Sequence, residues 1–186
     1  MEVLDKVITS LRYVKYKDYK EFENFLKQYK DDITQLDESI SQFYILTLFY
    51  KLSAKEQKQL TLEEIEYLIE GVNVAFNEPL ELNNILIKQG KLYGLIPNFE
   101  KVKSGELIEM DTLFADDNWT ALMSVLYRPV IGGRKGINKR GEYLIEPYDE
   151  YSDTLFEDVS AYDVLAVRDF FIKSYLQLSQ DSPTSL

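Results

Sequence analysis

The chain has 186 residues, 21 basic and 32 acidic side chains for a formal net charge of −11, no cysteine, no histidine, one tryptophan, fourteen tyrosines and ten phenylalanines. The two absences exclude a disulfide framework, a zinc finger, a Ser-His-Asp or Cys-His nucleophile and any imidazole metal site, leaving only carboxylates, lysine, tyrosine or serine for an enzyme to use. The acidic balance argues against nucleic acid as the main partner, because binding a phosphate backbone gains from a positive face that releases counterions.

Residues 3–14 show no clear period, and Leu11, Tyr13 and the stretch 14–16 read as a short strand or an irregular lead-in. Residues 18–29 read as a helix, with Tyr19, Phe22, Phe25, Leu26 and Tyr29 at three- and four-residue steps and Asp18 as its N-cap. A second helix is expected over 37–52, apolar nearly all round and therefore placed in the middle of a core. Ser53 with Glu56 and Thr61 with Glu64 each spell a capping box, in which hydroxyl and carboxylate satisfy otherwise orphaned N–H groups. The second of these opens a helix from Leu62 to about Phe76, with Leu62, Ile65, Ile69, Val72 and Phe76 on one stripe, ending before Asn77 and Pro79.

Ile85, Leu86 and Ile87, then Leu92, Tyr93, Leu95 and Ile96, stand on either side of Gln89 and Gly90 and predict a β-hairpin. Ser104 is read as the cap of a helix through Phe114. Asp116, Asp117 and Asn118 offer a cap for a further helix in which Trp119, Leu122, Met123, Leu126 and Tyr127 share a face, stopped by Pro129. Residues 132–141 are rich in glycine and carry Arg134, Lys135, Lys139 and Arg140 with no acid among them, which reads as a loop. Residues 143–145 suggest a short strand, 149–158 an acidic turn or short helix around Leu155 and Phe156. Ser160 and Asp163 cap a last helix with Val164, Val167, Phe171, Tyr175 and Leu178 on one face.

The elements together predict a mainly α (α+β) fold: a bundle-like domain with a small hairpin and a short strand near the basic segment. It is expected to occupy 1–178 as one domain, with two lobes (1–80 helical, 81–178 hairpin plus helices) as a variant, and 179–186 as a disordered tail. Glu2 and Asp5 precede any apolar stretch, so the start does not read as a secretory signal. The longest dense apolar run, 43–50, is eight residues, against roughly 20 for a membrane helix. A cytoplasmic location without membrane contact is the expectation.

The basic glycine segment has the ingredients of a phosphate nest. Gly136 and Gly141 have the spacing of a P-loop, but Glu142 and Tyr143 stand where Lys and Ser or Thr are required, which argues against nucleotide hydrolysis. The competing readings are a solvated insertion and a docking surface for an acidic partner. Asp111, Asp116 and Asp117 lack the spacing of a calcium loop and are better explained by helix capping. Glu106 with Glu109, and Asp149 with Glu150 and Asp153, are candidate carboxylate pairs for acid/base work, to be weighed against ordinary solvated faces of an acidic protein. Trp119 and the many tyrosines fit core packing better than base stacking, and any surplus aromatics fit a protein interface.

The stretch from Asn118-Trp119 through Leu122-Met123-Ser124-Val125-Leu126-Tyr127-Arg128-Pro129-Val130, then Tyr143-Leu144-Ile145-Glu146-Pro147-Tyr148, then Asp163-Val164 and Phe170-Phe171, resembles tail assembly chaperones and related tail morphogenesis proteins of tailed bacteriophages. The order of parts is similar too: a helical first half with a Leu-Thr-Leu-Glu-Glu helix start at 60–64, a hairpin, and a closing helix with paired phenylalanines. The resemblance implies a non-enzymatic protein, with no catalytic residue, cofactor or metal, that binds a tail component such as the tape measure protein in the host cytoplasm during assembly. The alternative is a structural protein of the connector, tail hub or baseplate retained in the virion. A small enzyme or nucleotide-binding regulator is a third, less supported class. The candidate partner-binding residues are Trp119, Arg128 and Tyr148 in the resembling segment, with Arg134, Lys135, Lys139 and Arg140 as an electrostatic contact. Against these stand Trp119 as core, Arg128 as a helix C-terminal cation, and the basic segment as merely solvated.

Overall fold

The computed structural model describes residues 4–29, 38–97, 99 and 102–181. The fold is mainly α with one small three-stranded antiparallel sheet, as the sequence pattern predicts. Two compact units divide the chain: Met1–Leu80 with Ser160–Tyr162, and Glu81–Val159 with Asp163–Leu186. None of the described helices is long and apolar enough to cross a membrane.

The first unit holds α1 (Tyr16–Gln28), α2 (Glu38–Tyr50), α3 (Ala54–Gln57) and α4 (Leu62–Phe76). The lead-in is irregular, with two short 3₁₀ turns, Leu4–Lys6 and Leu11–Tyr13, and Lys15 bridges Ser160 in antiparallel fashion. Lys15, not Asp18, is the N-cap of α1. Asp18 is buried in the first turn, where its carboxylate meets Lys51 Nζ at 2.8 Å. Lys51 itself turns the chain out of α2 with φ 58°. Asp37 lies outside the described residues. Both capping boxes form as expected, with Ser53 and Glu56 opening α3 and Thr61 and Glu64 opening α4.

The stripe expected on α4 is rotated. Leu68, Gly71, Val72 and Ala75 are its buried residues, and Leu62 is 69% exposed. The cause is the lead-in, which crosses the helix at Gly71: a Cβ there would stand 2.4 Å from Val7 Cγ1 and 2.7 Å from the Ile8 carbonyl oxygen. Tyr50 fastens this crossing, donating to the Leu68 carbonyl at 2.7 Å and accepting from Ile8 N–H at 3.3 Å. Leu46, Leu52 and Leu68 form one part of the unit's core. Phe22, Phe49 and Phe76 form another, their rings 5.4–5.9 Å apart and mutually tilted, an arrangement the ring quadrupole favours. Burial in α2 is one-sided at its start, because Ile40 and Phe43 are exposed while Ile45, Leu46, Leu48 and Phe49 are covered.

The second unit is built on the hairpin of β1 (Ile85–Lys88) and β2 (Lys91–Leu95). Gln89 and Gly90 have φ 49° and 76°, the left-handed pair that a two-residue hairpin turn requires. β3 (Tyr127–Pro129) pairs with β2, setting Leu95 opposite Tyr127 and Tyr93 opposite Pro129. Tyr127 therefore leaves the helix in which its spacing placed it, and α6 ends at Leu126. Preceding it, α5 (Ser104–Ala115) is capped at Lys103 with no side-chain bond, so the expected Ser104 cap is absent. Asn118 does cap α6 (Trp119–Leu126), its Oδ1 accepting from Ala121 N–H at 3.2 Å. Nearly all of α6 is buried, and Phe156, fully covered, sits between the rings of Tyr93 and Tyr127. Residues 149–158 thus serve as a plug without forming a helix. The expected strand at 143–145 is reduced to a bridge between Val130 and Ile145. The last helix, α7 (Ala161–Asp181), runs past Ser179, where a disordered tail was expected to begin.

Candidate interaction site

Of the residues proposed as partner anchors, Trp119 is withdrawn into the core. It is 3% exposed, packs edge-on against Phe114 and Phe171, and donates its indole N–H to Asp117 at 2.6 Å. Asp117, at φ 53°, is thereby a turn residue whose carboxylate serves the indole. Among the described residues no group of three or more acidic side chains is placed to hold a metal ion.

Arg128 is also buried. Its guanidinium meets Glu106 at 2.5 Å, its Nε donates to the Val125 carbonyl at 3.2 Å, and it lies 5.1 Å from the centre of the Tyr148 ring. Tyr148 in turn donates its hydroxyl to Glu109. The structure therefore brings Arg128 and Tyr148 together with the two glutamates that one turn of α5 presents on the same face. The cluster has a structural use: it straps segment 146–152 onto α5 and the α6–β3 junction, helped by Ser152 N–H donating to Ser124 Oγ at 2.7 Å. Burial, then the bond to Glu109 and that glutamate's charge, push the Tyr148 phenol well above its ordinary range. The reading of Glu106 and Glu109 as a solvated pair is thus corrected, and so is that of Arg128 as an accessible anchor. Arg128 does serve a helix C-terminus, through the Val125 carbonyl.

The four cations of the basic segment behave differently. Arg134, Lys135, Lys139 and Arg140 are all exposed, and none forms an ion pair among the described residues. Their backbone is tightly organised. Gly133–Gly136 is a 3₁₀ turn that begins after Gly132 at φ 75°, and Gly133 N–H donates to Val130 at 3.0 Å. Gly136 lies against the Ile131 carbonyl so closely that a Cβ would fall 1.8 Å from the oxygen. Asn138 then closes a second turn, its Oδ1 accepting from Arg140 N–H at 2.8 Å and Glu142 N–H at 3.0 Å.

Sequence reasoning missed the surface beside this segment. Pairing across the sheet sets Ile87, Leu92 and Val130 in one row, since Ile87 opposes Leu92 and Val130 N–H donates to Leu92. Further along the same face Gly94 is roofed by the Tyr143 ring, whose hydroxyl donates toward the Asn84 and Leu95 carbonyls. The row opens at Ile87, with Leu92 half-buried and Val130 buried at its floor, onto a groove of about 450 Å³ rimmed by Gly90, Lys91, Gly133, Arg134 and Glu146. The available signal was the run Ile85-Leu86-Ile87, because consecutive apolar residues in a strand must face both sides of the sheet. No known protein family matches the chain, and neither the curated proteins nor the solved structures contain a match to it.

Proposed function

We propose that the chain is a non-enzymatic assembly protein of tailed bacteriophages, chaperone-like, which binds a tail component such as the tape measure protein during morphogenesis. The observation that carries the binding role is the basic segment: four exposed cations mounted on two tight turns, unpaired among the described residues in a chain of net charge −11. A positive patch on an acidic protein steers and orients an acidic partner, while the remaining charge keeps the complex in solution. Of the candidate carboxylate pairs, Glu106 and Glu109 are engaged by Arg128 and Tyr148, which favours a binding role over an enzymatic one for that pair. The bacteriophage origin rests on the resemblance of residues 118–130 and 143–148.

Quantitative mass spectrometry of purified particles beside infected-cell lysate tests the reading. Abundance in lysate with none in particles is the expected result. Stoichiometric copies in the particle would replace it with the structural role at connector, hub or baseplate.

A further inference from the structure

The groove on the open face of the sheet has a composition that selects its guest. We propose that it seats a short extended segment of a partner protein in which an aliphatic or aromatic residue is flanked by aspartate or glutamate. This rests on the reading of the chain as a protein-binding factor, but not on its bacteriophage origin.

The floor is apolar: Ile87 is 61% exposed in β1, beside Leu92 and Val130. Covering it with a guest side chain removes apolar surface from water, the main favourable term in such docking. The rim is cationic at Lys91 and Arg134, which both line the groove. Neither forms an ion pair among the described residues. Arg134 offers a fork of donors that matches a carboxylate.

The other rim positions are Gly90 and Gly133, at φ 76° and 56°, and a Cβ on either would meet nothing within 4 Å. With no side chains at these points, a guest backbone can approach closely. Glu146 is the single acid on the rim, against Lys91 and Arg134, so the rim keeps a net positive charge for the guest's carboxylates. No aromatic residue lines the groove, and without a stacking platform it is poorly suited to single-stranded nucleic acid. The volume, about 450 Å³, falls in the roughly 300–1,000 Å³ range of ligand clefts.

The test is a titration of the ¹⁵N-labelled full chain with the blocked heptapeptide Gly-Asp-Glu-Leu-Glu-Asp-Gly. The proposal expects saturable shifts at the amides of Ile87, Gly90, Leu92, Val130 and Gly133. Binding should weaken by about 10-fold when Lys91→Glu and Arg134→Glu are combined, or when Asn and Gln replace the peptide's acids. Replacing the peptide's leucine by serine should weaken it as well. Arg134→Ala, a smaller change, should give a partial loss, and a thermal melt confirms that each variant is folded.

Equal binding of the neutral peptide, or shifts confined to other residues, overturns the proposal. Stronger shifts of the same amides by a thymidine octanucleotide would overturn it in favour of nucleic acid. Concentration-dependent broadening of those amides without peptide would overturn it in favour of a second copy of the chain. If the Lys91→Glu, Arg134→Glu chain still retains a tail protein from infected lysate, the groove fails and the assembly role stands. If the protein is instead found in particles, the assembly role fails while the peptide titration still decides the groove.

Discussion

At the scale of single residues, the sharpest dependence is on Arg128 and Glu106, whose side chains are 10% and 6% exposed at a separation of 2.5 Å. Removing one partner leaves the other charged and buried, so Arg128→Met is expected to lower stability by about 3–5 kcal/mol, while adding Glu106→Leu should recover much of it. Urea denaturation of Arg128→Met, Glu106→Leu and the double variant measures this, and a double-variant loss equal to the sum of the two single losses would show that the pair is not coupled. Glycines give a second contrast. Gly105 lies in α5 with open space around its missing Cβ, and alanine there should stabilise by about 0.4–1 kcal/mol. At Gly94 the same substitution drives a methyl to within 2.2 Å of the Tyr143 ring and should expel it, visible as loss of protection at the Leu95 amide in hydrogen exchange. Four phenols give the pH dependence: Tyr50, Tyr127, Tyr143 and Tyr148 are held above the ordinary 10.0, chiefly by burial. The unfolded chain then loses these protons before the folded one does. Their contribution is complete below pH 10 and declines as the pH rises beyond it. Absorbance at the tyrosinate band should show these four titrating after the exposed phenols and together with unfolding; a single reversible step near pH 10 with native near-UV dichroism would contradict the assignment.

Elements differ in how far local chemistry determines them. The two capping boxes depend only on residues three apart, and both were legible in the sequence. Thr61→Ala should destabilise by about 1 kcal/mol, read from the denaturation midpoint. Hydrogen bonds from Ser53 and Thr61 hold Glu56 and Glu64 below the ordinary 4.5. Their support is present above that value and is lost as the pH falls through and below it, so the Thr61→Ala deficit should shrink in acid. The hairpin was equally legible, because Gln89 and Gly90 supply the turn by themselves. What failed was decided by distant partners. The buried face of α4 is set by the lead-in crossing at Gly71, and Tyr127 is drawn into β3 by Leu95 and anchored by its hydroxyl at the Asn83 carbonyl, 2.6 Å away. Asp18 looked like a cap because nothing nearby in the sequence announces Lys51 as its partner. The candidate site divides the same way: the basic segment could be read from composition alone, whereas the burial of Arg128 and the groove depend on residues that only folding assembles.

At the scale of the whole molecule, the path of the chain links the two units as much as their cores define them. The first unit is left at Leu80 and rejoined only at Ser160–Tyr162. There Ala161 N–H donates to the Val14 carbonyl at 2.8 Å, Tyr162 donates to the Pro79 carbonyl at 3.3 Å, and Arg12 lies 3.5 Å over the Tyr162 ring. A fragment of residues 1–80 lacks these contacts and is expected to melt below the corresponding transition of the intact chain; an unchanged transition by calorimetry would show that residues 160–162 contribute nothing to that unit. The order in which a ribosome delivers the chain gives this detour a further meaning. The unit begun first is finished only after position 162 has been made, with residues 81–159 synthesised before it. Its early helices must wait with an unfinished edge at Val14 and Pro79, and the stretch that closes it arrives with the start of the last helix. Completion of the amino-terminal unit thus reports that synthesis has passed position 162, and a copy terminated before that point should be recognisable to the cell's proteases by the gap at that edge.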